Sequence, residues 1–146
     1  MLVKEIMRTD VKTIREDDTV NKAAEIMNQF HIGGLVVVSG SGEVAGIVTE
    51  RDILVDVVAK GKKSFDVKVE EIMTKSDDMI YVEPEASLED AADAMTKYKI
   101  KRLPVLSDGG LVGIITATDL IAYERHLVEK VSQLIALKRN ENAAGG

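Results

Sequence analysis

Two short stretches of the chain set a hydroxyl and a carboxylate at the same spacing. "GIVTERD" (46–52) returns as "GIITATD" (113–119), so Thr49 and Asp52 are answered by Thr116 and Asp119, each 67 positions on. Both pairs close a β-rich run and open a segment of helical pattern. One chemistry for such a junction is the [S/T]-x-x-[D/E] cap, in which the hydroxyl accepts from an amide of the first turn and the acid reaches back. The other is ligand binding. Free amides and a hydroxyl at a helix start suit a phosphate, and a short carboxylate one turn in can accept both hydroxyls of a ribose. An apolar slot beside them would hold a base. Gly46 and Gly113 are repeated as well, which capping does not require, and the acid is Asp where Glu or Gln has the better reach. Both points weigh toward the ligand.

The elements that carry these junctions are also written twice. "VKEIM" (3–7) matches "VEEIM" (69–73), "TVNKAAEIM" (19–27) matches "SLEDAADAM" (87–95), and "HIGGLVVVS" (31–39) matches "KIKRLPVLS" (99–107). The changing offset places a two-residue insertion near 74–79 and a one-residue deletion near 108–110, where loops tolerate such changes. In each copy a short helical piece precedes an extended segment, around Thr13-Ile14 and around Ile80-Tyr81-Val82. Thr19 and Ser87 then read as N-caps. Ala23, Ala24, Ile26, Met27 and Phe30 recur at helical spacing, as do Leu88, Ala91, Ala92, Met95 and Tyr98. Two β-rich runs joined by a glycine turn follow, and then a second helix, from about Glu50 to Lys60 and from about Ala117 to Arg139. The unit is β-α-β-β-α, an α/β fold, and the unbroken apolar run Leu35–Val38 predicts strands covered on both faces. The expected division is 1–60 for the first repeat, 61–68 for a polar linker, 69–137 for the second repeat, and 138–146 for a disordered tail.

The last helix is longer than its own domain needs. Leu120, Leu127, Val131 and Leu134 form an apolar row flanked by Ile121, Val128 and Ile135. Its first turns are expected to pack at home, and its distal half across a homodimer.

Composition narrows the function classes. Of 146 residues 45% are hydrophobic and 30% charged, and no run nears the ~20 apolar residues of a membrane span. The start mixes charges too early for a signal peptide, so a soluble, cytoplasmic chain is expected. A net charge of −6, scattered Lys and Arg, and only three Tyr and two Phe give no footprint for nucleic acid. The absence of Cys removes disulfides, thiolate zinc sites and cysteine nucleophiles. His31 and His126 stand alone, without ligands at metal spacing, and read as surface or packing residues. Asp17-Asp18 and Asp77-Asp78 read as solvated turns, and Met7, Met27, Met73 and Met95 as core filler. No catalytic residues and no metal site are expected.

The repeated "EIM", the strands "GGLVVV" and "KRLPVL", and the junctions "GIVTERDIL" and "GIITATDLI" together resemble a tandem pair of cystathionine beta-synthase (CBS) domains, a Bateman module. The resemblance covers both repeats in order, leaving out the linker and tail. It implies two βαββα units packed sheet to sheet about a pseudo-twofold axis, with two sites in the cleft for adenosine-containing ligands: AMP, ADP, ATP or S-adenosylmethionine. Carried over residue by residue, it implies two unequal sites. In the first, Thr116 would meet phosphate and Asp119 ribose, with Lys101, Arg102 and Pro104 from "KRLPV" beside them and Thr13 and Ile14 flanking the base. In the second, Thr49 and Asp52 would play those parts near Ile80, Tyr81 and Val82. Gly33 and Gly34 stand there in the places of Lys101 and Arg102, with Arg51 as a substitute cation. The Asp119 site is therefore expected to be the stronger phosphate binder.

Such modules imply regulation without catalysis, with no cofactor used as a catalyst and with an unnamed protein as the regulated partner. Two other readings stay open: a scaffold whose turns only cap helices, and a nucleotide-processing enzyme.

Overall fold

A single helical turn, α1 (Val3–Ile6), leads into β1 (Thr13–Arg15), α2 (Val20–Phe30), β2 (Gly34–Val38), β3 (Val44–Thr49) and α3 (Glu50–Ile53) in the computed structural model. α3 widens at once into a π-helical turn over Leu54–Val58, whose end is marked by the Ala59 amide donating to the Leu54 carbonyl. The second repeat opens with a 3₁₀ turn, Val69–Glu71, then β4 (Thr74–Lys75) and another 3₁₀ turn, Ser76–Asp78. It continues as α4 (Leu88–Tyr98), β5 (Arg102–Ser107), β6 (Gly110–Thr116) and α5 (Ala117–Gly145). Residues 1–145 are described, with side chains through 137, and the tail expected at 138–146 lies outside the described side chains.

Local chemistry accounts for the paired helices. Thr19 accepts from the Lys22 amide and Ser87 from the Asp90 amide, as N-caps do. Both helices end on a left-handed residue, His31 at φ 54° and Lys99 at φ 55°, whose amide returns to the carbonyl of Met27 or Met95. Between cap and stop, Ala23 and Met27 of α2 and Ala91 and Met95 of α4 turn inward. In β2, Leu35, Val36 and Val37 are all fully buried, as two-sided cover requires.

β1, β2, β3 and β4 form one sheet, with β1 parallel to β2 and the other neighbours antiparallel. β5 and β6 form the second sheet. The two sheets are edged alike. Arg8 bridges Ile114 as β4 pairs with β3, and Val82 bridges Val105 in parallel as β1 pairs with β2. The extended segment expected at Ile80–Val82 shrinks to that one bridge. The Val82 amide donates to the Pro104 carbonyl and the Leu106 amide to the Val82 carbonyl. Pro104 has no N–H to continue the ladder one step back.

The leader segments are exchanged between the halves. Val67, from the segment expected as a linker, and Val69 and Ile72, from the start of the second repeat, are buried with Ile14, Val20, Leu35 and Val48 of the first. Val3, with Ile6 and Met7 against it, is buried with Ala91, Met95, Leu103 and Ile115 of the second. Backbone bonds follow the same cross. Val69 donates to Asp18 and Glu70 to Glu16, while Val3 donates to Ala86 and Lys4 to Pro84. Each fully buried valine contributes roughly 1.5 kcal/mol or more to this docking.

This exchange explains the repeated glycines. A Cβ on Gly46 would lie 2.1 Å from the Thr74 carbonyl oxygen, and one on Gly113 would lie 2.9 Å from the Arg8 carbonyl oxygen and 2.6 Å from Met7 Sδ. The motif glycine is the point where the other half's leader crosses the strand, a structural demand that needs no ligand.

α5 departs from its body. Leu120 packs against the second core, but Ile121, Leu127, Val128, Val131, Leu134 and Ile135 are about half exposed. Among the described residues no helix is long and apolar enough to cross a membrane.

Gly46→Ala is expected to cost about 1–3 kcal/mol, the range for overpacking, and more than Gly113→Ala, because its Cβ overlaps backbone far more closely, while at Gly113 the tightest contact is a methionine side chain that can move. Urea unfolding of the two variants gives the comparison.

Candidate functional site

The end of β3 and the start of α3 face residues of the second repeat across a cavity of about 930 Å³. The first repeat contributes Ile47, Thr49, Glu50, Arg51, Asp52 and Leu54. The second contributes Thr74, Asp78, Met79 and Ile80 from the stretch that follows its leader, and Tyr98 to Arg102 from the turn between α4 and β5. Leader exchange makes this wall: the segment that pairs with β3 runs on directly into Asp78–Ile80. The volume lies near the upper end of the ~300–1,000 Å³ typical of small-molecule sites.

Thr49 and Asp52 are held by each other. The Thr49 amide donates to Asp52 Oδ2 at 2.8 Å, the Thr49 hydroxyl donates to the same oxygen at 3.1 Å, and the Asp52 amide donates to Thr49 Oγ1 at 3.3 Å. This is a complete capping box, so aspartate reaches far enough despite its shorter side chain. Only Oδ2 of Asp52 is engaged among the described residues, which leaves Oδ1 to accept from a ligand.

Four cations, Arg51, Lys99, Lys101 and Arg102, share the cavity wall with three acids, Glu50, Asp52 and Asp78. Arg102 is the deepest. A Cβ on Gly34 would lie 2.6 Å from its Cδ, and one on Gly33 would lie 2.8 Å from its Nη2 and 2.8 Å from Glu50 Oε1. The glycine pair therefore makes room for an arginine of the other repeat, whose guanidinium ends close to Glu50. Burial pushes the Arg102 guanidinium below its usual pKa, while the charges of Glu50 and then Asp52 pull it back up.

Lys101 and Arg102 thus face the Asp52 turn, whereas the sequence reading assigned them to the Asp119 turn. The ladder shows why the two are easily confused. Arg102 opposes Thr116 and Gly34 opposes Thr49, so the backbones of both turns lie near both strand starts. The side chain of Arg102 nevertheless runs across to Gly34.

The Asp119 turn has the same cap, with the Thr116 amide donating to Oδ2 at 3.0 Å and the Asp119 amide to Thr116 Oγ1 at 3.2 Å. Its other oxygen is taken. Arg8 Nε donates to Oδ1 at 3.0 Å, and the Asp119 side chain is 9% exposed.

Of the other expected site residues, Ile80 and Arg51 line the cavity, whereas Ile14, Pro104, Val82, Tyr81 and Thr13 do not. Ile14 is buried in the first core and Pro104 in the second sheet, so neither is free to flank a base. Val82 packs on the second core, and Tyr81 points outward at 48% exposure. Thr13 is exposed on β1 opposite Val36. Gly33 borders a smaller cavity of about 490 Å³ with His31, Glu50 and Ile53. Asp78, read as a solvated turn, borders the large cavity. Glu50, Met79, Tyr98 and Lys99 were missed. Lys99 had a signal, since it stands beside Lys101 and matches His31 of the other copy, whereas nothing local marks Met79. Among the described residues no cluster of His, Cys, Asp and Glu is arranged to hold a metal ion.

Comparison with known proteins agrees with this architecture. The CBS domain family matches residues 3–58 and again 69–126. CBS domain-containing protein YhcV of Bacillus subtilis is 36% identical over 118 residues, covering 81% of this chain and 81% of that protein. The mitochondrial CBS domain-containing protein CBSX3 of Arabidopsis thaliana is 38% identical over 107 residues, which are 72% of this chain but only 52% of the plant protein. The crystal structure of a CBS domain protein from Thermoplasma acidophilum is similar with a TM-score of 0.78 at 34% identity, over 84% of this chain and 68% of that one. Two whole-repeat matches, a relative of equal extent and a shared three-dimensional arrangement lead to one conclusion: this chain belongs to the CBS domain family and carries two such domains in tandem.

Proposed function

We propose that the chain is a non-catalytic regulatory module that binds an adenosine-containing ligand in the cleft at Thr49 and Asp52. One observation carries the reading: a cavity bounded by both repeats joins an open carboxylate oxygen, four cations and an apolar wall of Ile47, Met79 and Ile80. In it Asp52 takes the ribose hydroxyls, and Arg102, Lys101, Lys99 and Arg51 face the phosphate. The apolar wall takes the base, with Leu54 at its rim. This reverses the ranking expected from the sequence, because the cations stand opposite Asp52. The four cations favour a ligand that carries phosphate, and Glu50 and Asp78 in the wall weigh toward AMP, the nucleotide with the fewest phosphates, with ADP, ATP and S-adenosylmethionine as alternatives. Because both repeats bound the cleft, a ligand can alter their relation and report to a separate protein, by no more than its differential affinity for the two arrangements.

Hydrogen bonds inside both turns favour a second reading, a scaffold whose Thr/Asp pairs only cap helices. Calorimetric titration with AMP separates the two. Asp52→Ala is expected to lower affinity about 10–100-fold, as loss of a charged hydrogen-bond partner does, while Asp119→Ala leaves it nearly unchanged. Both substitutions remove the acid half of the capping box and cost about 1 kcal/mol of stability, so stability alone does not separate the readings. Arg102→Ala is expected to reduce the preference for AMP over adenosine. No thermal shift with millimolar AMP, ADP, ATP or S-adenosylmethionine would decide for the scaffold.

The half-exposed row on α5 supports self-association. Leu127, Val131 and Leu134 recur at helical spacing and lie beyond the reach of either core, which is the arrangement expected of a homodimer contact. A Leu127→Glu, Leu134→Glu double variant is expected to sediment as a monomer where the parent sediments as a dimer, with AMP affinity altered less than threefold. Equal sedimentation of the two would remove the dimer from the proposal.

A further inference from the structure

Resting on the reading of the Asp52 cleft as a nucleotide site, we propose that Arg8 keeps the sister turn at Thr116 and Asp119 closed. The residue at this one leader position then decides which of the two turns takes a ligand.

The leaders are equivalent position by position. "VKEIMR" aligns with "VEEIMT", so Arg8 of the first corresponds to Thr74 of the second. Each crosses the other half's motif glycine with its carbonyl, Thr74 over Gly46 and Arg8 over Gly113. Thr74 lies opposite Ile47 in the ladder, and Arg8 exchanges two 2.9 Å hydrogen bonds with Ile114. The backbone frame is therefore common to both turns, and the side chain is what differs.

Thr74 is short, and the space before it is part of the large cavity. Arg8 extends over its turn and donates from Nε to Asp119 Oδ1 at 3.0 Å, while the Thr116 amide holds Oδ2. Both carboxylate oxygens are thus engaged, against one at Asp52. A ribose at Asp119 must first displace the guanidinium, and no cation at the facing strand start offsets that loss, since Gly33 and Gly34 stand where the other half has Lys101 and Arg102. Arg8 itself is 67% exposed at its side chain. Its ion pair is consequently weak, so Arg8 acts as a removable cover.

AMP titrated into the full chain and two variants tests this. Arg8→Thr installs the residue that the sister leader uses on the same backbone, and Arg8→Gln removes the charge while keeping much of the length. The parent is expected to show one binding step, which Asp52→Ala weakens about 10–100-fold. In Arg8→Thr that step is unchanged and a second, weaker one appears, or an existing weak step tightens about fivefold or more, the equivalent of the ~1 kcal/mol of an ion pair with one exposed partner. Adding Asp119→Ala removes the second step. Raising salt screens the pair and narrows the gap between the parent and Arg8→Thr at that step. If both Arg8 variants keep a single unchanged step, the inference is overturned. It is also overturned if the parent shows two steps and loses one with Arg8, because Arg8 would then be holding the ligand. A parent that binds no AMP counts against the Asp52 reading instead. In that case uptake of AMP by Arg8→Thr alone supports the cover, and its failure to bind rejects it.

Discussion

The constraint on which this structure depends is that neither half completes its own core. Val69 and Ile72 of the second repeat, with Val67 just before it, fill the first core, and Val3, Ile6 and Met7 fill the second core from the first. The close crossings at Gly46 and Gly113 follow from this exchange, since each leader passes over the strand that leads to a Thr/Asp turn. The cavity follows too, because the chain leaving the crossing at Thr74 runs straight into Asp78, Met79 and Ile80. Packing and site are consequences of one arrangement of backbone.

Much of this could be read from the residues. Helical spacing of Ala23 and Met27 and of Ala91 and Met95 located the buried faces. Thr19 and Ser87 announced their helices through hydroxyls that only an N-cap uses well. An unbroken apolar run announced a strand covered on both sides. The leader exchange was not legible, because "VKEIM" and "VEEIM" are near copies and an apolar pattern does not say whose core it will enter. For the same reason the repeated glycines looked like a ligand signature, while their cause is a carbonyl oxygen arriving from elsewhere in the chain.

The candidate site was half legible. Thr49, Asp52, Arg51 and Ile80 gather as the motif suggests. The cations were assigned to the wrong turn because strand pairing and side-chain direction answer different questions. Arg102 is opposite Thr116 in the ladder, yet its side chain leaves the sheet toward Gly34. Only the fold supplies that direction. The reach of aspartate was also underestimated: 2.8 and 3.0 Å contacts close both capping boxes. Capping and ligand binding are compatible at Asp52, since one oxygen serves the helix and the other is unengaged among the described residues, on a side chain that lines the cavity.

The reciprocal docking of α1 and of the Val69–Glu71 turn bears on how such a chain could arise. A polypeptide holding a single copy of the unit would present a strand crossing and a core lacking its last few aliphatic side chains. Only a second molecule, lending its own leader and borrowing in return, would close both gaps. Joining two such molecules end to end changes nothing in those contacts and turns an association dependent on concentration into a permanent one. It also frees the two copies to diverge, so that a position held by threonine in one can become arginine in the other.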